Sequence, residues 1–117
     1  MTTPPIDISA EEWRIVRDIL RKHVPVHEIR AFGSRAKRNA KPYSDLDLAV
    51  ITATPLSWEV SGALPEDFLE SDLPFRVDVL DWARTSEAFR RVVEQAKVVV
   101  QTTQESGLIQ DRPAATL

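Results

Sequence analysis

The 117-residue sequence carries 15 Lys and Arg against 18 Asp and Glu, a formal charge of −3, with 43% hydrophobic and 28% charged residues; this is the profile of one globular domain. It contains no cysteine, which excludes a disulfide framework, a thiolate zinc site and a catalytic thiol. No apolar run approaches the roughly 18–20 residues of a membrane span, the start Met1-Thr2-Thr3-Pro4-Pro5 lacks the basic and apolar parts of an export signal, and an acidic chain is a poor general binder of nucleic acid, so a cytoplasmic protein is expected.

The first element is a helix. Ser9 and Glu12 have the spacing of a capping box, Trp13, Val16, Ile19 and Leu20 recur on one face, and Pro25 lies beyond the far end. His27 to Phe32 reads as a strand, interrupted by Gly33-Ser34. Arg35 to Tyr43 is a polar, basic stretch without an apolar period. Asp45 to Ile51 alternates: Leu46, Leu48 and Val50 share one face, and Asp45, Asp47 and Ala49 the other. Ser57 to Ser71 reads as a helix that Pro65 is expected to break or restart. Phe75 to Leu80 is a strand with Val77 and Val79 inward and Arg76, Asp78 and Leu80 opposite. Thr85 to Gln95 is a helix with apolar Phe89, Val92 and Val93, and Lys97 to Gln101 a last short strand. From Thr102 onward the chain is polar, which predicts a flexible tail over 102–117 behind a domain over 1–101. The order of elements predicts a small α/β (α+β) domain built on one mixed sheet flanked by helices.

The chemistry concentrates between Gly33 and Leu48. Gly33, one of only three glycines, ends a strand just before a hydroxyl residue. A glycine there lets backbone N–H groups approach a phosphate, a following helical turn adds its dipole, and Ser34 offers a hydroxyl. Asp45 and Asp47 fall on one strand face, about 6.5–7 Å apart at Cα. Aspartate is depleted in strands, and two at alternate positions repel unless a hard cation such as Mg²⁺ joins them. If the strand carrying Asp78 lies alongside, three carboxylates share a face, a set that can hold two metals roughly 3.5–4 Å apart for attack at phosphorus. Asp81 competes with Asp78 for this place; its alternative role is to end the strand and lead into the next helix.

Gly33-Ser34, ten residues, then Asp45-Leu46-Asp47 resembles the motif of the DNA polymerase β-like nucleotidyltransferase superfamily. Phe32-Gly33-Ser34-Arg35-Ala36, with Ser44-Asp45-Leu46-Asp47-Leu48 and the later Arg76-Val77-Asp78-Val79-Leu80-Asp81-Trp82, is similar to its minimal nucleotidyltransferase branch, and the likeness runs from about Trp13 to Gln101. The resemblance implies that Gly33 and Ser34 lie under the phosphates of ATP or another nucleoside triphosphate. It also implies that Asp45, Asp47 and Asp78 hold two Mg²⁺, Asp78 helping to activate the attacking hydroxyl. Minimal members pair with a small all-helical partner of the HEPN or substrate-binding type, and some are antitoxins that transfer AMP to it. Many members have a glycine where this chain has Arg38.

Among the basic residues Arg30, Arg35, Lys37, Arg38 and Lys41, a solvated face and a patch facing triphosphate or partner are both open, and Arg35 is the candidate to help hold phosphate. His23 and His27 are read as surface residues, since Pro25 between them spoils a shared helical face. Trp13, Trp58 and Trp82 are core or interface residues, Trp58 the one that could meet a partner. Two functions follow: an enzyme that transfers a nucleoside monophosphate, most simply AMP, to a hydroxyl of the partner, or a non-catalytic nucleotide-binding antitoxin or scaffold that neutralises its partner by contact.

Overall fold

A computed structural model describes residues 2–103. The predicted tail over 102–117 lies, apart from Thr102 and Thr103, outside the described residues. The elements follow as α1 (Ala10–His23), β1 (Glu28–Phe32), α2 (Gly33–Lys37), β2 (Leu46–Ile51), α3 (Trp58–Glu70), β3 (Val77–Asp81), a 3-10 turn (Trp82–Arg84), α4 (Glu87–Gln95) and β4 (Val98–Gln101).

The capping box at the start of α1 is complete. Glu12 N donates to Ser9 Oγ at 3.1 Å, and Ser9 N donates to Glu12 Oε1 at 3.0 Å, an arrangement worth about 1 kcal/mol. Acids in the first turn and Arg21, Lys22 and His23 in the last follow the helix dipole.

The four strands form one mixed sheet in the order β3-β2-β1-β4. β1 pairs antiparallel with β2 and with β4, while β2 and β3 run parallel. The alternation read from the sequence sorts the two faces. Ile29 and Ala31 of β1 and Leu46, Leu48 and Val50 of β2 are buried against Trp13, Val16 and Leu20 of α1 and Leu64 and Phe68 of α3, with Val77 and Val79 packed on the same core. The opposite face is covered only in part. Ala49 and Val93 are fully buried there, Phe89 of α4 meets Phe32 edge to face at 5.8 Å, and Arg30 bonds Glu28 and Glu94. The guanidinium groups of Arg30 and Arg90 lie 5.4 and 5.0 Å from the centre of the Trp82 ring. Phe89 and Val92 remain substantially exposed, so only Val93 of the predicted apolar trio on α4 is core.

Three expectations are corrected. α3 runs unbroken through Pro65. Pro65 and Ser61, whose carbonyl the proline leaves unbonded, both face solvent, so water takes that carbonyl while Leu64 and Phe68, four apart, hold the opposite face in the core. The last helix begins at Glu87, because Asp81 caps a separate turn over Trp82–Arg84 and Ser86 caps α4. His23 is not simply a surface residue. Its Nε2 lies 2.6 Å from Asp67 Oδ2 and ties α1 to α3, and with Lys22 it holds the Asp67 carboxyl below the usual range. Trp13 is core, with its indole nitrogen buried and unpartnered among the described residues, as is His27 Nδ1. Trp58 is exposed.

Candidate active site

The uncovered end of the second sheet face is where β1 finishes and β2 begins. Phe32 stands opposite Asp47 across the antiparallel pair, and Asp47 stands opposite Asp78 across the parallel pair. Asp45, two residues before Asp47, reaches the same face by strand alternation. Gly33 follows Phe32 directly and brings α2 against Asp47. Its φ is +77°, and a Cβ there would clash with Asp47 Oδ2. Two independent reasons thus favour glycine: a left-handed backbone, and close contact with the Asp47 carboxylate, which a methyl group would push aside.

The electrostatics agree with this closeness. Partial burial, then the Asp78 carboxylate, then that of Asp45 push the Asp47 carboxyl up from 3.8 to about 6. Asp47 and Asp45 form no hydrogen bond or ion pair among the described residues, and Asp78 has only a long contact, 3.7 Å, from Arg76. As they stand, no three His, Cys, Asp or Glu side chains among the described residues are gathered tightly enough to enclose an ion. The donor set nonetheless fits a hard cation: carboxylates in register on neighbouring strands, mutually repelling, with only the long contact from exposed Arg76 to set against their charge among the described residues. Asp81 lies on the other face. It stands opposite Val50, and its carboxylate accepts from Thr52 Oγ1 at 2.6 Å and Leu56 N at 2.8 Å and caps the 3-10 turn.

The Ser34 hydroxyl forms no hydrogen bond among the described residues, while its carbonyl accepts from Asn39 N at 3.1 Å. Arg35 corrects the expectation of a phosphate contact. It is only 4% exposed. Its Nε donates to Ser44 O at 2.9 Å, and its terminal nitrogens donate to Asp7 O at 2.6 Å and Pro42 O at 3.0 Å. The guanidinium stacks 3.9 Å from the centre of the Phe75 ring. The fork of donors matches several carbonyls at once, so Arg35 folds the loop between α2 and β2 and is too deeply buried to offer a donor to a ligand in the open. Asp7 completes this knot. Its N–H donates to Arg35 O, and its carboxylate accepts from Arg38 Nε at 3.1 Å and Ala40 N at 3.0 Å. Arg38 occupies the left-handed region, φ 67°, at the end of α2. Of the basic run, Lys37 and Lys41 are left exposed with no ion pair among the described residues. Sequence reasoning missed Asp7 and Phe75, since no local pattern reports partners 28 and 40 residues from Arg35.

The family described as "Polymerase beta, Nucleotidyltransferase" matches residues 15–105. The chain belongs to this family. Among its relatives, the probable protein adenylyltransferase MntA of Haemophilus influenzae is 50% identical over 101 residues, which span 86% of this chain and 89% of that protein. A solved toxin–antitoxin structure with AMP-PNP superposes with a TM-score of 0.65 at 26% identity, covering 80% of this chain and 75% of that one. A structure of a tri-AMPylated HEPN toxin of Shewanella oneidensis in complex with its MNT antitoxin gives 0.58 at 26% identity, covering 80% and 71%. The four-stranded mixed sheet flanked by helices is thus the nucleotidyltransferase fold, and no helix among the described residues is long and apolar enough to cross a membrane.

Proposed function

We propose that this nucleotidyltransferase moves the AMP unit of ATP onto a hydroxyl of a HEPN-type helical partner, in the cytoplasm, as the antitoxin or catalytic member of a two-protein module. The observation that carries the proposal is the register of Asp47 against Asp78 with Gly33 cleared for the Asp47 carboxylate. The 50% identity to a protein named a probable protein adenylyltransferase supports the choice of donor and acceptor.

Asp45, Asp47 and Asp78 would hold Mg²⁺, which when bound neutralises the phosphate oxygens and the charge developing in transfer. The backbone of Gly33 and the free hydroxyl of Ser34 bind the triphosphate, and exposed Lys37 and Lys41 add positive charge beside it. Asp78, the most open of the three acids, accepts the proton of the incoming hydroxyl. A bond forms between that oxygen and the α-phosphorus, the bond to the β-phosphate oxygen breaks, and pyrophosphate departs.

The test is intact-mass spectrometry of the chain incubated with ATP and Mg²⁺, with and without a HEPN-type partner protein. An AMP adduct on the partner, absent with Asp47→Asn, is the expected result. A tight complex that stays unmodified under every nucleotide and metal tried would overturn transfer in favour of neutralisation by contact.

A further inference from the structure

The loop that joins α2 to β2 is firmly held, yet it carries one side chain that the fold does not use. Lys41-Pro42-Tyr43-Ser44 forms a turn with proline at its second position. Ser44 N donates to Lys41 O at 3.0 Å, and Lys41 N donates to Ser44 Oγ at 2.9 Å. Buried Arg35 pins the carbonyls of Pro42 and Ser44, on either side of Tyr43. The Tyr43 side chain, by contrast, is 81% exposed, and it is the one tyrosine in the sequence. A tyrosine ordinarily lays much of its ring against the protein, so a pinned turn that holds one out presents it to something.

What it faces is the site. Tyr43 lies two residues before Asp45, and both line one groove of about 610 Å³ together with Asp78. Among the described residues lining that groove, Tyr43 alone carries a hydroxyl. The neighbouring Ser44 hydroxyl is taken up by Lys41 N. Ser34 belongs to the start of α2, where the triphosphate is placed.

From this juxtaposition we propose that Tyr43 is itself a modification site: without a partner present, the chain transfers AMP from ATP onto its own Tyr43 phenol oxygen. The inference rests on the transfer reaction proposed above and adds a second acceptor to it. The phenol gives its proton to Asp78, and its oxygen forms a bond to the α-phosphorus. The bond from the α-phosphorus to the oxygen bridging to the β-phosphate breaks, and pyrophosphate leaves. The product is a phosphodiester between Tyr43 and AMP. Because the nucleophile and the acids share one chain, the step needs no encounter between two proteins.

The test uses the purified chain alone with ATP and Mg²⁺, followed by intact mass and peptide mapping. A single AMP adduct is expected, mapped to Tyr43, with a rate constant that does not change on dilution of the chain. Tyr43→Phe should stay unmodified, melt with wild type, and modify a HEPN-type partner at a rate within about twofold of wild type. Asp47→Asn mixed with wild type should also stay unmodified. An adduct on Ser34 or any other residue, an adduct on either variant, a rate that grows with chain concentration, or loss of partner modification in Tyr43→Phe overturns the inference. So does a wild-type chain that stays unmodified. If that chain still modifies the partner, the transfer reaction stands and the inference alone falls; if it modifies neither, both fall.

Discussion

Replacing Asp47 with Asn should make the metal-free protein more stable and inactive at once. The carboxyl is held up at about 6 in the folded chain by burial and by Asp78 and Asp45, against 3.8 for an unperturbed Asp. The folded state therefore holds this proton more tightly than the unfolded state does. Below about pH 4 both states are protonated and the group is neutral for stability. As pH rises from about 4 to about 6 the unfolded chain ionises first, and stability is lost; above 6 the loss is complete. The full rise corresponds to roughly 3 kcal/mol, and solvent reaching the open side of the carboxylate reduces this to about 1–2 kcal/mol. In a domain of this size each kcal/mol moves the melting temperature by about 4–8 °C. Asp47→Asn should thus melt about 4–16 °C above wild type at pH 8 in EDTA, with the gap closing by pH 4. Mg²⁺ should raise the wild-type melting temperature and leave the variant nearly unmoved. Circular-dichroism melts at pH 4, 5, 6, 7 and 8 decide it. A variant less stable at pH 8, or an advantage that is the same at every pH, would refute the electrostatic reasoning.

Gly33→Ala should destabilise by about 2 kcal/mol or more, since the left-handed backbone alone costs roughly 1–2 kcal/mol and the new methyl also drives Asp47 aside; chemical denaturation measures it, and transfer should be lost. Arg35→Lys should lower stability by about 2–3 kcal/mol, because one ammonium cannot reach the carbonyls of Asp7, Pro42 and Ser44 together; an unchanged urea midpoint would contradict the clamp. Arg38→Gly should be neutral or stabilising by up to about 1 kcal/mol, as relief of the left-handed backbone outweighs an exposed ion pair with Asp7; thermal melts report the sign.

What the sequence disclosed depended on how local its physics was. The capping box, the alternation of β2 and the spacing of Gly33-Ser34 to Asp45 and Asp47 are short-range patterns, and each led to an element in the expected place. Asp78 and Asp81, three residues apart on one strand, fall on opposite faces, and it is the long-range pairing with β2 that decides which face is which: it puts Asp78 opposite Asp47 and Asp81 opposite Val50. Pro65 is a helix breaker by local propensity, but α3 continues through it because Ser61, whose carbonyl it leaves unbonded, faces solvent, a fact of tertiary placement. Arg35 misled more deeply. A basic residue beside a phosphate-type loop suggested an anion, whereas the donors turn inward to carbonyls supplied by the N-terminal segment and the following loop. Nothing in the spacing of a basic run encodes that turn.

The knot around Asp7 has a practical consequence for anyone handling this protein. The family match starts at residue 15, and trimming the chain to that boundary would be a natural choice for expression. Doing so would delete the carbonyl that takes an Arg35 donor, the carboxylate that secures Arg38 and Ala40, and buried Ile6. The loop delivering Asp45 would then be untied at its far side although every motif residue was kept.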